Sequence, residues 1–365
     1  MLHIFSQLVS KPASESVIPY LPRWKGKVYA LVGLAGLLLA VIIFATTLGS
    51  VHIPFATCFE VLATKLPFLH ITPSWPKTFD VIILDIRLPR ILLAGLVGAA
   101  LAVAGATYQG LFRNPLADPY LLGIASGAGL GATIAFLIPF TLQWMSFGAV
   151  PLFAFIGGLG AVAVVYSVAR VGKTLPATTL ILAGVALGAF LSSITSYLMT
   201  ISGKELHGIV FWLLGGLSLT EWTEVGIVFP SVLAGIIVIW LHARPLNVMQ
   251  LDEEQAQQLG INVERVKLIL LGAATLITSA AVCFTGLIGF VGIIIPHTVR
   301  LIWGPDHRSL LPLSILVGAV FLILADTLAH TLLQPTEIPV GVITAFCGAP
   351  FFLYLLRRKK GLAFF

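Results

Sequence analysis

Charge is scarce in this 365-residue chain: charged side chains make up 10% of it, while 58% is hydrophobic. A water-soluble domain of this length cannot clothe its surface with so little polarity, which excludes an ordinary soluble globular fold. Cysteine is scarcer still. Cys58, Cys283 and Cys347 stand far apart without metal-ligand spacing, which leaves them as packing residues rather than a metal site. A phosphate-binding loop is missing too: the nearest approach, Gly172-Lys173-Thr174, has Ser167 where the motif requires glycine. No Ser/His/Asp order, paired-histidine spacing or cysteine cluster offers a catalytic centre, so neither an enzyme nor a resident cofactor is expected. The net charge of +6 is not gathered on a soluble face, which argues against a nucleic-acid partner.

What the chain has instead is long apolar runs. Mean hydropathy is +1.03, and a helix needs roughly 20 residues to cross the hydrocarbon core. Runs at 28–48, 88–112, 119–140, 149–171, 176–201, 223–243, 264–286, 288–304, 308–330 and 338–357 predict an all-α, polytopic membrane protein of about ten transmembrane helices. The 35 glycines suit helices that approach closely where lipid supplies no hydrophobic force between them. The first run is too long for a signal-peptide core and lacks a small-x-small cleavage site, so it reads as a retained helix. The chain then divides into an N-terminal segment 1–27, a transmembrane domain 28–358 and a tail 359–365. Within the domain lie an extracytoplasmic loop at 49–86 and a cytoplasmic loop at 244–263. In the outer loop, 53–69 is mildly amphipathic and suits the membrane surface, while Pro67, Pro73 and Pro76 argue against a long helix further on. Gly98–Gly105 and Gly272–Ser279 are similar and would run in opposite directions, the pattern of an inverted repeat.

Positive charge sets the expected orientation. Lys11, Arg23, Lys25 and Lys27 precede or open the first run, and Arg357, Arg358, Lys359 and Lys360 close the last. With both termini cytoplasmic, Arg113, Arg170, Lys173, Arg244, Arg265, Lys267, Arg300 and Arg308 also fall inside. Only Lys65, Lys77, Arg87, Arg90 and Lys204 stay outside, the asymmetry that the positive-inside rule expects.

One stretch is written in a different chemistry. Between two apolar runs, residues 244–267 encode a short water-soluble helix. Asp252 is placed to cap it, with Gln255 three residues on completing a capping box. Glu253 and Glu254 occupy the first turn, where the helix dipole favours negative charge. Gly260 supplies the left-handed residue that stops the helix after about two turns. Such a helix has no packing purpose between two spans; its use is to meet a soluble partner. Elsewhere, Asp326 and His330 lie four apart on one helix face near the outer end of their span. They give a second reading, a proton-coupled secondary transporter.

Seven motifs in order carry a family resemblance: Arg87-Leu-Pro-Arg90, Asn114-Pro-Leu-Ala-Asp-Pro119, Leu182-Ala-Gly-Val-Ala-Leu-Gly188, Phe211-Trp-Leu-Leu-Gly-Gly216, Glu253-Glu-Gln-Ala-Gln-Gln-Leu-Gly260, Gly289-Phe-Val-Gly-Ile-Ile-Ile-Pro-His297 and Glu337-Ile-Pro-Val-Gly341. Spread over residues 86 to 358, they resemble the permease subunits of ABC importers for iron–siderophores, haem and cobalamin. The resemblance implies a homodimer with two separate ATPase subunits, an external substrate-binding protein, a metal-chelate substrate and a lipid environment. It implies that 252–260 is the ATPase contact, with Ala256 and Leu259 as its apolar ridge and Gly260 as its exit. It places Asn114 and Leu116 at an inner gate, and Thr178 in a second gate layer. Arg87 and Arg90 would receive the binding protein, as would a residue at position 330. Two departures stand out: Asp252 where the family usually has glycine, and His330 where it commonly has arginine.

Overall fold

The computed structural model describes residues 23–358 except 50, 52, 66–74, 139–147, 173 and 219. The segment 1–22 with Lys11, the tail 359–365 with Lys359 and Lys360, and Pro67, Pro73 and Lys173 lie outside the described residues. The chain opens with α1 (Arg23–Thr47) and α2 (Phe55–Ala63). A four-residue α3 (Lys77–Asp80) then leads through a π-helical stretch, Val81–Arg87, into α4 (Leu88–Leu111). A 3-10 turn at Pro119–Leu122 precedes α5 (Ile124–Leu137), α6 (Ala149–Ala169) and α7 (Ala177–Ile201). Next come α8 (Leu206–Leu214), α9 (Trp222–Leu241), α10 (Ala243–Val248) and α11 (Glu253–Gln258). The bundle is completed by α12 (Val263–Thr285), α13 (Val291–Trp303), α14 (His307–Thr331) and α15 (Val340–Arg358). Among the described residues there is no strand, only an isolated bridge between Val171 and Thr174.

Each of the ten expected runs coincides with a helix. Seven are long and apolar enough to cross a membrane, and three are shorter: Ile124–Leu137, Val291–Trp303 and Val340–Tyr354. The similar segments at 98–105 and 272–279 fall on α4 and α12.

Two expectations about the region before α4 are corrected. Pro76 does not stop a helix; it is the N-cap from which a continuous 35-residue helix, Lys77–Leu111, departs. Proline lacks the N–H that a first turn leaves unbonded anyway, so it starts helices as readily as it ends them. Pro89 therefore sits deep inside this helix, not in the first turn that the apolar run at 88–112 implies. Its ring and missing N–H disturb the ordinary hydrogen-bond register. The backbone is π-wound immediately before it, with Leu88 N–H reaching back to Ile83 O. The amphipathic 53–69 stretch contains α2, shorter than that range, with Cys58 and Val61 buried against Ile53 and Ile83. A further helix, α8, is not among the expected elements, because nine residues are too few to register as a span.

The core forms around α4. Of its most apolar window 83% is buried, against 11% for α1 and for α7. Glycine permits this at two crossings. A Cβ on Gly98 would lie 2.2 Å from Gly318 O of α14, and one on Gly105 would lie 1.9 Å from Gly292 O of α13. Such backbone contact is how helices gain dispersion energy in lipid. The same device joins α5 to α6, where a Cβ on Gly131 would meet Phe153 O at 2.1 Å.

Alanine at Gly105 should therefore force α4 and α13 apart and lower thermal stability by about 1–3 kcal/mol, the usual cost of overpacking. Gly33, around which an added Cβ meets nothing within 4 Å, is the control and should tolerate alanine within about 0.5 kcal/mol. Thermal unfolding of both variants in one detergent checks this; equal midpoints would show the α4–α13 contact to be slack.

Candidate functional site

At one end of the bundle α11 stands out from the apolar helices, fastened from two sides. Asp252 caps it with extended backbone (φ −77°, ψ 152°), and its carboxylate accepts from Glu253 N–H at 2.9 Å. The same carboxylate pairs with Arg113 Nη1 at 3.3 Å, and Arg113 also donates to Leu251 O. The expected capping box with Gln255 does not form; Arg113, arriving from the end of α4, draws the Asp252 side chain toward itself. On the other flank Glu253 accepts from Lys267 Nζ at 2.8 Å. Lys267 is 5% exposed and also donates to Glu264 and Leu175 O, so every one of its three protons is bonded. Sequence alone marks Lys267 only as a cytoplasmic charge. Its spacing of three from Glu264 was the available sign of a pairing.

The face α11 presents differs from the one expected. Ala256 is fully buried and belongs to the main core, so it cannot form half of an exposed ridge. A helix this short needs one inward anchor, and the smallest apolar side chain on it serves. Leu259 is 65% exposed, and Glu254, Gln257 and Gln258 are exposed beside it. Gly260 has φ +84°, the left-handed exit that was expected.

The loop from α4 to α5 lies at the same end. Asn114 Oδ1 accepts from Leu116 N–H at 2.9 Å, an Asx turn that leaves Leu116 exposed. Asp118 caps the 3-10 turn by accepting from Tyr120 N–H, while burial pushes its carboxyl up to about 6. Thr178 is exposed in the first turn of α7. Further along that helix Ser193, Ser196 and Thr200 are exposed too, their hydroxyls bonded back to carbonyls of the preceding turn. They make a hydroxyl patch near the end of α7, while Thr178 stands apart from it on the same face, with exposed Leu182 and Val185 between. The three-and-four spacing of Ser193, Ser196 and Thr200 would have revealed the patch.

The opposite end is organised by arginine. Arg87 Nη1 donates to Thr46 O at 2.6 Å and Nη2 donates to Val51 O. It thereby satisfies a carbonyl that the last turn of α1 leaves open, where a cation also suits the helix dipole. Arg90 grips Asp326 through two bonds of 2.9 Å and Glu337 through bonds of 2.9 and 3.1 Å. Ser218 Oγ donates to Glu337 as well, at 2.8 Å. Burial works against the Glu337 charge, yet the Arg90 bonds prevail and hold its carboxyl below the ordinary range. His330 Nδ1 lies 2.7 Å from Asp326 O and 3.8 Å from its carboxylate. Arg87 and Arg90 are thus mid-helix groups committed to their own chain, not side chains displayed at a helix start. Asp326, 2% exposed, is the inner half of an ion pair. Beside this network a cavity of about 500 Å³ opens between α4, α8, α12 and α15, edged by Arg90, Glu337, Phe211, Trp212 and Thr285.

Apolar helices spanning a bilayer, a charged helix held out at one end and a polar knot at the other define a multi-pass membrane permease. Residues 37–358 match the model of the FecCD transport family, and the chain belongs to that family. It is 48% identical over 285 residues to the cobalamin import system permease protein BtuC of Halobacterium salinarum, covering 78% of this chain and 76% of that one. With the hemin transport system permease protein HmuU of Yersinia pestis it shares 43% over 279 residues, 76% of this chain and 83% of that one. A solved chain described as a metal-chelate type ABC transporter, in an inward-facing conformation, superimposes with a TM-score of 0.77 at 32% identity. That superposition covers 90% of this chain and 98% of the other.

Replacing Arg90 by methionine would leave Asp326 buried without its partner. The expected loss is about 3–5 kcal/mol, most of it regained when Asp326→Asn is added. A double-mutant cycle by thermal unfolding reads this. Additive losses would show that the two side chains are not coupled.

Proposed function

We propose that the chain is the membrane-spanning subunit of a binding-protein-dependent ABC importer for a metal chelate, an iron–siderophore, haem or a corrinoid. ATP is hydrolysed on separate subunits, which α11 engages at the cytoplasmic end, where both termini lie. The observation that carries this reading is α11 itself. Two ion-paired flanks and the buried Ala256 hold it rigid, while Leu259 stands exposed beyond the bilayer helices. A rigid short helix transmits force in both directions, which a solvated loop does not.

Two copies would enclose the pathway. α7 is mostly uncovered, and α15 exposes Val342, Phe346 and Leu353 along one side. The patch of Ser193, Ser196 and Thr200 offers a wettable surface suited to a bulky, polar-edged chelate. Asn114, Leu116 and Thr178, all at the α11 end, form the inner gate in this reading. The external binding protein meets the opposite end, where Arg87 and Arg90 shape the surface through α1 and the 332–339 loop instead of touching the partner directly. Proton coupling through Asp326 and His330 is disfavoured, because Arg90 already engages both carboxylate oxygens.

Leu259→Glu is the sharp test. The side chain is exposed, so folding should be unaffected, while ATPase affinity should fall on the order of tenfold or more as an apolar anchor is lost. Leu259→Met should behave nearly as the parent. Co-purification of the ATPase subunit with each variant, alongside its thermal midpoint, measures this. Undiminished capture with normal uptake would remove α11 from the coupling role.

A further inference from the structure

A groove at the α11 end is not used by anything described so far. α1 and α10 both pack against the first turns of α14, and a cavity of about 780 Å³ lies among them. Its rim is basic: Lys27 from α1, Arg244 from α10 and Arg308 from α14. Its walls are apolar and belong to spanning helices, with Val28 and Leu31 on one side and Trp240 and Leu241 on the other. Trp240 is 54% exposed and Leu241 65%, both at the last turn of α9.

The charges do not cancel. The lining holds one carboxylate, Asp306, and it is already occupied: Arg308 binds both its oxygens, and Asn247 Nδ2 donates to it at 2.7 Å. Lys27 Nζ donates to Ser309 Oγ at 2.7 Å, which holds the ammonium over the groove without neutralising it. Arg244 and the Trp240 indole have no side-chain partner among the described residues. Among the described residues, two uncompensated cations therefore sit above an apolar slot, at the depth where spanning helices end. An indole N–H that prefers the bilayer interface stands beside them.

We propose that this groove holds an anionic phospholipid, its phosphate between Lys27 and Arg244 and one acyl chain along Val28, Leu31 and Leu241. A soluble anion would use the rim and leave the walls in contact with nothing suited to them. A zwitterionic lipid would fill the walls and bring a cation of its own to a cationic rim. Only a lipid with net negative charge matches both. Bound there, it would join α1, which is little buried, to the end of the bundle that carries α11.

Native mass spectrometry of the full-length chain, purified in mild detergent and offered phosphatidylglycerol or phosphatidylcholine, tests the assignment. Phosphatidylglycerol should be retained at one per chain and phosphatidylcholine at least tenfold less. Lys27→Gln with Arg244→Gln should reduce phosphatidylglycerol retention on the order of tenfold or more, whereas Lys27→Arg with Arg244→Lys should keep it. If the glutamine pair does not yield folded protein, Trp240→Ala, which removes a wall, should lower retention severalfold. Equal retention of the two lipids by the unaltered chain overturns the proposal without any variant. So does full retention by the glutamine pair. Release of phosphatidylglycerol by millimolar inorganic phosphate would assign the rim to a free anion instead.

Discussion

Backbone meets backbone where α4 crosses α13 and α14, at Gly105–Gly292 and Gly98–Gly318. In lipid the hydrophobic effect does not press helices together, so packing and polar contacts must do so. The polar contacts depend on those crossings. With α14 drawn against α4, Arg90 reaches Asp326, a residue 236 positions away in sequence. With α13 drawn in, Gln109 Nε2 donates to Gly292 O and Ile293 O, while Arg300 Nη1 donates to Gln109 Oε1 at 3.0 Å. A helix pair one methyl group further apart would leave these groups unsatisfied in a medium with no water to replace them.

The few charges the chain has are spent at the two ends of the bundle, and to different purposes. At one end Arg87 and Arg90 gather α1, α4, α14 and the 332–339 loop into a closed surface. At the other, Lys267 and Arg113 take hold of α11 from opposite sides. Both arrangements couple α4 or α12 to a peripheral element. Through these pairs a displacement of α11 would reach the spanning helices, as the proposed coupling to a separate ATPase needs.

Much of this was legible in the order of residues. Apolar run length located each span, because the bilayer imposes a length that sequence can count. Gly260 announced its own turn, and Asp252 its cap, because both act within one or two residues. Partnerships across the fold left weaker marks. Nothing near Arg90 indicates that Asp326 and Glu337 will consume its donors, so an arginine at an apparent helix start looked displayed. Ala256 reads as half of an apolar ridge on a helical wheel, and only the neighbouring helices decide that it faces inward. Pro76 carried both meanings, terminator and N-cap, and the choice depended on the helix that follows. The hydroxyl patch of Ser193, Ser196 and Thr200 was visible in its spacing but drowned by the leucines and valines around it.

The central claim is that force comes from ATP on a partner held by α11, and that no ion is coupled within the chain. Uptake of a metal chelate by sealed vesicles containing this permease, its ATPase and its binding protein tests it most directly. With ATP inside the ATPase compartment, uptake should proceed at the same rate when a protonophore removes the proton gradient, and should cease when ATP is replaced by a non-hydrolysable analogue. Uptake that persists without hydrolysis and collapses with the protonophore would contradict the account.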